Sequence, residues 1–525
     1  MIDQRHIEIY DTTLRDGTQG AGINLSVHDK LAIARRLDDF GVHYIEGGWP
    51  GSNPKDIQFF EQASVLPWKN AKLVAFGSTC RKNIPASSDP QVQLLIQANT
   101  PVITIYGKTS LLHVTEILQC SKDENLRMIG DTIRYLKQHG RTVIYDAEHA
   151  FDGYKLSSSY ALATWQAAVD AGADQIVLCD TNGGCLPEDV YSIVATAVSA
   201  LKCPIGIHTH NDSGLAVANA LAAVRAGANH VQGTVNGYGE RTGNCDIISV
   251  IPCLHFKMGY SSIPASSINQ LKAVSQYVDA IANLPHNTRL PWVGSSAFSH
   301  KGGTHVNAID KLVSSYEHID PIEVGNQRNI LVSDLAGKSN IILKAKQLGF
   351  SINPNDPVLS KIVNEVKELE SLGYEYEAAS ASLALLVAKH LSKEINIPFT
   401  IDMYHVSMRR NSVDSICEAT LKTTVHNKVY HTVAEGHGPL NALDQALRHA
   451  LNDAFPILTT VKLVDYKVRI LPGNSGTTAK TRVLITSTNG RQEWGTVGVS
   501  ENIIEASLQA LIDSLQHAIL YSSML

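Results

Sequence analysis

The feature that most constrains the fold is an alternation of short β-rich runs with helical segments through the first half of the chain. Each run ends in polar residues or glycine, and an amphipathic segment that closes near a glycine follows it. Strands that alternate with helices predict parallel βαβ units. The runs lie at residues 6–13, 42–48, 72–78, 101–107, 141–147, 174–180, 203–210 and 229–237.

Eight such units are the number that closes a (β/α)8 TIM barrel, a fold of roughly 250 residues. An open, doubly wound α/β sheet is the alternative. No GxGxxG motif links the first run to its helix, which disfavours the dinucleotide-binding version of that sheet. We therefore predict an α/β protein whose catalytic barrel spans residues 1–265.

Beyond the barrel the pattern changes twice. Residues 266–414 are mostly helical and are interrupted by PHNTRLPWVGSS and FSHKGGTHVNAI, so we predict a helical linker and lid region. Residues 415–525 contain two strand-like runs and a helix, then three further strands and a last helix. This order predicts a separate C-terminal α+β domain, and Asn489-Gly490 predicts a tight hairpin within it.

The overall charge excludes several classes of partner. The chain has 44 basic and 50 acidic residues and a net charge of −6, so it offers no basic surface for nucleic acid or an anionic membrane. We see no signal peptide and no apolar stretch long enough to span a bilayer. The eight cysteines form no CxxC pair, and we expect a reduced, cytoplasmic protein.

In a TIM barrel the active site lies at the C-terminal ends of the strands. Polar and charged residues are concentrated at those ends in this sequence. Ionisable groups gathered at one rim are costly to desolvate unless they bind something. The residues concerned are Asp11, Arg15 and Asp16 after the first run, Asp146 and Glu148 after the fifth, Asp180 and Thr181 after the sixth, His208 and His210 after the seventh, and Asn244 after the eighth.

The spacing of His208 and His210 points to a metal. Residues i and i+2 of a strand face the same side, so both imidazoles can face one point. Together with the Asp16 carboxylate and the Asn244 amide oxygen they form a mixed nitrogen and oxygen set, which suits a divalent ion with open positions for substrate. Mg, Mn and Zn are all compatible with this set. The alternative is a pair of histidines that only fill the barrel.

Two further residues each have a structural and a functional interpretation. Arg15 is either an ion-pair partner of Asp16 or the group that holds a substrate carboxylate or carbonyl through paired donors. Glu148 is either a solvated loop residue or a general base at the rim.

Three segments carry a resemblance to a known family. DTTLRDGTQ (11–19), HTHND (208–212) and NGYGERTGN (236–244) resemble the signature segments of the 2-isopropylmalate synthase, homocitrate synthase and citramalate synthase family. These are barrel acyltransferases that condense acetyl-CoA with a 2-oxo acid. AFSHKGGTHVNAI and YEHIDPIEVGN are similar to the histidine and tyrosine motifs of the family's lid region. The tail, with EGHGPLNALDQALRHAL, is similar to its regulatory domain.

The resemblance implies roles for individual residues. Asp16, His208, His210 and Asn244 match the metal ligands, and Arg15 matches the arginine that polarises the substrate. The resemblance assigns catalytic roles to Glu148, His305 and Tyr316, and substrate contacts to Tyr145, as a wall of the 2-oxo acid pocket, and to Thr181.

Within the family, EGGWPGSNPKD (46–56) and DAEHAFDGYK (146–155) are similar to the citramalate synthase branch. That branch implies condensation of pyruvate with acetyl-CoA in isoleucine biosynthesis, a homodimer, and feedback inhibition by isoleucine at the loops 436–439 and 471–476. The alternatives are 2-isopropylmalate synthase acting on 2-oxoisovalerate, a carbon–carbon lyase on the same barrel, and a catalytically inactive amino-acid sensor.

Overall fold

The computed structural model describes residues 5–332, 337–391, 398–410, 415–471 and 479–521. The chain forms two compact units. The first comprises Met1–Phe298 and Ile319–Gln327, and the second comprises Ser299–His318 and Arg328–Leu525. Among the residues described, no helix is both long enough and apolar enough to cross a membrane.

The first unit contains a closed barrel of eight parallel strands in sequential order, with the first strand paired to the eighth. The predicted (β/α)8 architecture is thereby confirmed. The strands are β1 Glu8–Asp11, β2 Tyr44–Gly48, β3 Lys72–Ser78, β4 Val102–Lys108, β5 Thr142–Glu148, β6 Gln175–Asp180, β7 Ile205–Thr209 and β8 His230–Gly233.

Helices occupy the connections between these strands, and their ends carry the expected capping residues. Ser26 and Asp29 form a capping box at the start of the first helix, which ends at Gly41 in a left-handed conformation. The helices are α1 Val27–Phe40, α2 Pro54–Ala63, α3 Pro90–Gln97, α4 Lys122–Gln138, α5 Ala150–Leu156, α6 Ser158–Asp170, α7 Pro187–Ala200, α8 Ala216–Ala226, α9 Ile247–Pro252 and α10 Leu271–Ile281.

The alternation of side chains along each strand divides the buried residues of the barrel into two layers. One face of β5 packs against the surrounding helices through Val143, Tyr145 and Ala147. The opposite face fills the barrel interior, where Ile144 lies with Val177 and other strand residues. This division decides which side chains at the strand ends face the rim cavity.

The second unit begins with short strands and helices. They are β9 Ser299–His300, α11 Gly303–Lys311, β10 Asn329–Ile330, α12 Lys338–Gln347, α13 Val358–Ser371 and α14 Ser380–Leu391. Residues of α13 and α14 share a hydrophobic core with Val497 and Val499 from a later strand.

The rest of this unit is built from two similar halves, each a three-stranded antiparallel sheet followed by a helix. Asn489 and Gly490 lie in the connection 489–492 of one hairpin, with Gly490 at a positive φ of 85°. The first half is β11 Phe399–Arg410, β12 Ser415–Val425, β13 Lys428–Gly436 and α15 Pro439–Leu451. The second half is β14 Lys462–Ile470, β15 Thr481–Thr488, β16 Glu493–Ser500 and α16 Ile503–Leu520.

Strand β11 is absent from the sequence-based description. Its sequence, FTIDMYHVSMRR, has no clean alternation of apolar and polar residues, and most of its side chains are at least partly exposed. It is a strand because β12 pairs with it along its length, from Phe399 opposite Val425 to Arg410 opposite Ser415. Pairing with a neighbouring strand therefore overrides the weak local pattern.

Two neighbouring aspartates of α1 provide a test of the packing around the barrel. Buried Asp38 accepts backbone hydrogen bonds from Lys69, Asn70 and Ala71, whereas half-exposed Asp39 pairs with the Lys69 ammonium group at the surface. We expect Asp38→Ala to destabilise the barrel by about 2–3 kcal/mol, because three backbone donors lose a charged acceptor. The control Asp39→Ala should cost less than about 1 kcal/mol. Urea denaturation measures both, and equal midpoints for the two variants would contradict this account.

Candidate functional site

A cavity opens at the C-terminal rim of the barrel. Side chains from the loops and strand ends of nearly every βα unit line it, so charged, aromatic and hydroxyl groups face a common space. The lining residues are Arg15, Asp16, Gln19, Trp49, Phe76, Tyr106, Asp146, Glu148, Cys179, Thr181, His208, His210, Glu240 and Arg241.

Three of these residues form a compact group of metal-ligand atoms. Asp16, His208 and His210 are buried, and their ligand atoms all lie within 4.8 Å of one another. His208 Nε2 is 3.2 Å from Asp16 Oδ2 and 3.3 Å from His210 Nε2. The two histidines face the same point because they are two positions apart at the end of β7, His208 within the strand and His210 one residue beyond it.

Asn244 completes the group. Its side-chain Nδ2 lies 2.6 Å from Asp16 Oδ2 and 3.3 Å from His208 Nε2, while its Oδ1 is buried without a hydrogen-bond partner. Exchanging the two ends of the amide would direct the oxygen at the cluster instead, and the two orientations differ only in the hydrogen bonds they make. The four side chains therefore fit a divalent ion with mixed nitrogen and oxygen ligands.

The electrostatics of the cluster suit a cation. Burial raises the pKa of Asp16, but the adjacent Arg15 guanidinium and the hydrogen bond with His208 outweigh burial and hold this pKa well below its usual range. Burial, together with the nearby His208, lowers the pKa of His210 to about 3. Asp16 is therefore a carboxylate and His210 a neutral imidazole, which are the forms that bind metals.

Arg15 is held rigidly beside this cluster. Its Nε lies 2.5 Å from Glu46 Oε1, and its Nη1 lies 3.1 Å from Asp16 Oδ1. The guanidinium carbon is 3.7 Å from the centre of the Phe76 ring. Glu46 is fully buried and also accepts a 2.6 Å hydrogen bond from the hydroxyl of Tyr10. A fixed positive charge therefore faces the cavity next to the proposed metal position.

Glu148 and Thr181 line the same cavity. The Glu148 carboxylate forms an ion pair with the Lys108 ammonium group. Thr181 Oγ1 accepts a 2.9 Å hydrogen bond from the backbone N–H of His149, which leaves the hydroxyl hydrogen free to donate to a ligand. The carboxylate and the hydroxyl thus offer an acceptor and a donor to one bound molecule.

The structure does not bring Tyr145 to the cavity. Its side chain is fully buried in the layer between the barrel wall and the helices, and a methyl group added at Gly107 would lie 2.7 Å from its hydroxyl oxygen. The neighbouring residue Asp146 lines the cavity instead. The reason is the alternation of side chains along β5.

His305 and Tyr316 belong to the second unit. His305 is an exposed residue of α11, and its ring stacks on that of Tyr316, with ring centres 4.2 Å apart and an interplanar angle of 27°. Tyr316 is also exposed. The two residues that the resemblance assigns to catalysis in this region are thus in direct contact through their rings.

An aromatic wall of the cavity was not singled out from the sequence. Phe76 and Tyr106 stack with ring centres 5.6 Å apart, and the Trp49 ring is nearly perpendicular to both. Phe76 is two positions beyond inward-facing Val74 in β3, and Tyr106 is four positions beyond Val102 in β4. Counting alternate positions from these inward residues is the signal that identifies them.

Arg241 connects three loops at the mouth of the cavity. Its guanidinium donates two 2.8 Å hydrogen bonds to the Asp212 carboxylate and one of 2.8 Å to the carbonyl oxygen of Thr181. The backbone of Arg241 has a positive φ of 58°, a conformation that costs a non-glycine residue about 1 kcal/mol or more. The loops after β6, β7 and β8 are therefore fixed to one another.

Models of known families match most of the chain. Residues 6–278 match a family described as HMGL-like. Residues 292–373 match the homocitrate synthase post-HMGL domain-like family. Residues 377–519 match the LeuA allosteric (dimerisation) domain.

Individual relatives are similar over nearly the full length. The chain is 51% identical over 517 residues to an (R)-citramalate synthase of Aquifex aeolicus, covering 98% of each chain. It is 48% identical over 512 residues to an (R)-citramalate synthase of Geobacter sulfurreducens, covering 97% of each. It is 31% identical over 512 residues to a 2-isopropylmalate synthase of Methanocaldococcus jannaschii, covering 97% of this chain and 94% of that protein.

The histidine pair provides a direct test of metal binding. We expect His208→Ala and His210→Ala to weaken the affinity for Mn²⁺ by more than about 100-fold, because loss of a direct ligand should exceed the 10–100-fold effect of an outer-sphere partner. Calorimetric titration of the metal-stripped protein measures the affinity. The control His139→Ala, at an exposed site on the barrel surface, should leave it unchanged. Wild-type affinity in His210→Ala would mean that the histidine pair is structural.

Proposed function

The chain belongs to the HMGL-like family and, within it, to the (R)-citramalate synthases, and from this premise we propose that its rim site converts pyruvate, acetyl-CoA and water into (R)-citramalate and CoA. The observation that carries this proposal is the 51% identity over 98% of both chains. The 2-isopropylmalate synthase alternative has weaker support, because such a relative is only 31% identical over a comparable length.

Asp16, His208, His210 and Asn244 are the residues that would hold a divalent ion. A divalent ion at this position supplies Lewis-acid polarisation of the carboxylate and keto oxygens of a 2-oxo acid. The unpartnered Oδ1 of Asn244 and the neutral His210 imidazole support this assignment. A set of carboxylate, amide and imidazole ligands accommodates Mg, Mn and Zn alike.

Arg15 and Thr181 bind and orient the 2-oxo acid. The guanidinium of Arg15 adds positive charge where an alkoxide develops as the keto carbon is attacked. Because Glu46 and Asp16 already fix this group, little reorganisation is needed during the reaction. The free hydroxyl hydrogen of Thr181 donates to the substrate carboxylate.

Glu148 and His305 carry the proton transfers. A base removes a proton from the methyl group of acetyl-CoA, and the resulting enolate forms the new carbon–carbon bond with the keto carbon of pyruvate. The alkoxide product takes up a proton. Water then attacks the thioester carbonyl, which breaks the carbon–sulfur bond and releases CoA as the thiol. The ion pair with Lys108 holds the Glu148 carboxylate in position.

The aromatic wall supports pyruvate over larger 2-oxo acids. Trp49, Phe76 and Tyr106 pack against one another along one side of the cavity. Because the three rings are packed against one another, they cannot readily move aside for the two additional methyl groups of 2-oxoisovalerate. The methyl group of pyruvate is therefore the substituent that this wall suits.

The exposure of the His305 ring and its contact with Tyr316 support a chemical role for His305. Its exposed imidazole is held by stacking on Tyr316 rather than by burial. An exposed ring remains free to approach a ligand and to exchange a proton with it. We assign His305 and Tyr316 to catalysis on this basis.

The C-terminal domain supports a homodimer. Both faces of β14 are largely exposed in the single chain, including apolar residues such as Val464, Val468 and Ile470. A strand of this kind normally has a partner that covers it. The match of residues 377–519 to a domain described as allosteric and dimerisation agrees with such a partner.

We also propose a cytoplasmic location. All eight cysteines are free thiols, and five of them are buried. Thiols persist in reducing compartments, where disulfides rarely form.

The substrate panel is the experiment that tests the proposed activity. We expect kcat/KM for CoA release with pyruvate to exceed that with 2-oxoisovalerate by at least about 10-fold, since each additional methyl group in a fitted pocket changes binding by about 1–3 kcal/mol. Tyr106→Ala should narrow this ratio by enlarging the pocket. The His208→Ala variant, which lacks a proposed metal ligand, gives the background rate of CoA release. A higher kcat/KM with 2-oxoisovalerate in the wild type would establish the isopropylmalate alternative.

The second catalytic test concerns the lid. We expect His305→Ala to lower kcat by about 100-fold or more while the calorimetric affinity for pyruvate changes little, because acid–base catalysis acts mainly in the transition state. Tyr316→Phe keeps the ring stack and isolates the contribution of the hydroxyl. Asn307→Ala, exposed on the same helix, is the control. An unchanged kcat in His305→Ala would exclude a chemical role.

Isoleucine is the effector that we propose for the C-terminal domain. Of the two glycine-bearing loops predicted to bind it, residues 436–439 are described, whereas 472–476 lie outside the described residues. Gly438 is the N-cap residue of α15, and a side chain added there would meet no atom within 4 Å. The free N–H groups at this helix end suit an amino-acid carboxylate.

We expect millimolar isoleucine to inhibit the enzyme more strongly than leucine or valine. Gly438→Asp should raise the inhibitory isoleucine concentration at least about 10-fold, because its carboxylate occupies the anion position while still capping the helix. Gly438→Ser caps the helix without charge and is the matched control. Point variants are preferable to truncation, because α13 and α14 share a core with Val497 and Val499. Unaltered inhibition of Gly438→Asp would exclude this loop as the effector site.

A further inference from the structure

Gln232 lies beneath the proposed metal site and has no role in the chemistry described above. It is fully buried in β8, directly opposite His208 in the pairing of β7 with β8. Its Oε1 lies 2.9 Å from His208 Nδ1, and its Nε2 lies 3.0 Å from Asp146 Oδ1. The side chain therefore links a strand on one side of the barrel to β5 across the interior.

The chemistry of the three groups fixes the direction of these hydrogen bonds. The NH₂ group of the Gln232 amide donates to Asp146 Oδ1, and the amide oxygen then faces His208. An amide oxygen only accepts, so the hydrogen of His208 lies on Nδ1. Nε2 is thereby the ring nitrogen that faces the ligand cluster, 3.2 Å from Asp16 Oδ2 and 3.3 Å from His210 Nε2.

The ring of His210 has no hydrogen bond equivalent to the one that Gln232 forms with His208. Its Nδ1 is buried without a hydrogen-bond partner, so within the described chain no side chain holds this ring from behind as Gln232 holds that of His208. The two histidines of the cluster therefore differ in how their rings are held. Gln232 holds the ring of His208, and the orientation of the ligand cluster depends on that residue. Outer partners of this kind set the ring orientation of a metal-bound histidine and increase its basicity.

We propose that Gln232 is a positioning residue that fixes the tautomer and ring orientation of His208 for metal binding, with Asp146 fixing the amide of Gln232 in turn. This inference rests on the proposed function, because it requires the His208 and His210 site to bind a divalent ion. Gln232 is not among the residues that line the cavity and acts through His208, so its effect is on metal affinity before turnover.

The test is a calorimetric Mn²⁺ titration of metal-stripped, full-length protein. We expect Gln232→Met to weaken the Mn²⁺ affinity by about 10–100-fold. The matched control is Gln175→Met, because Gln175 is also buried in a barrel strand but lies at the opposite end, where its amide contacts Asn229. The control should bind Mn²⁺ as the wild type does. Affinity in Gln232→Met within twofold of the wild type would overturn the proposal.

A second variant keeps the test decisive if Gln232→Met does not fold. The double exchange Gln232→Glu with Asp146→Asn retains an oxygen opposite His208 Nδ1 and an amide-to-carboxylate hydrogen bond between positions 232 and 146. It should bind Mn²⁺ within about fivefold of the wild type, whereas a loss as large as that expected for Gln232→Met would overturn the proposal. Failure of the wild type itself to bind Mn²⁺ would instead refute the proposed metal site.

Discussion

In a closed barrel of parallel strands, alternate side chains face opposite sides of the wall, and this two-residue period determines the whole rim site. His208, in β7, and His210, one residue beyond its end, converge because they occupy alternate positions of the extended chain. Asp146 and Glu148 reach the cavity from β5 for the same reason, whereas Tyr145 between them packs against the helices. A shift of one position in any of these strands would exchange the polar set for an apolar one.

Burial of so many charged groups is tolerated because each has an opposite charge or a hydrogen-bond partner. Arg15 lies between the carboxylates of Asp16 and Glu46, and Glu46 is further held by the Tyr10 hydroxyl. Removing one member would leave the others desolvated and unpaired, which is far more costly than replacing the whole set. The rim is therefore a cooperative network in which the proposed metal ligands and the guanidinium depend on one another.

The sequence predicts the barrel well because strands buried on both faces and helices with capping residues have strong local signals. It also brings His208 and His210 together, since their relation is local. Two features depend on the folded chain. Strand β11 forms because it pairs with β12, and Gln232 acquires its contacts only when β8 closes beside β7 and across from β5. Both depend on long-range pairing, which local pattern does not encode. The outward orientation of Tyr145, by contrast, follows from the alternation of side chains along β5.

The core shared by α13, α14 and β16 has a mechanical consequence. Ile362 and Val366 of α13 and Leu383 of α14 pack with Val497 of β16. Close-packed interiors are nearly incompressible and transmit displacement rather than absorbing it. A shift of β16 within its sheet would therefore displace α13 and α14 by a similar amount. The segment that precedes the C-terminal sheets is thus packed into that domain as part of its core and would move with it.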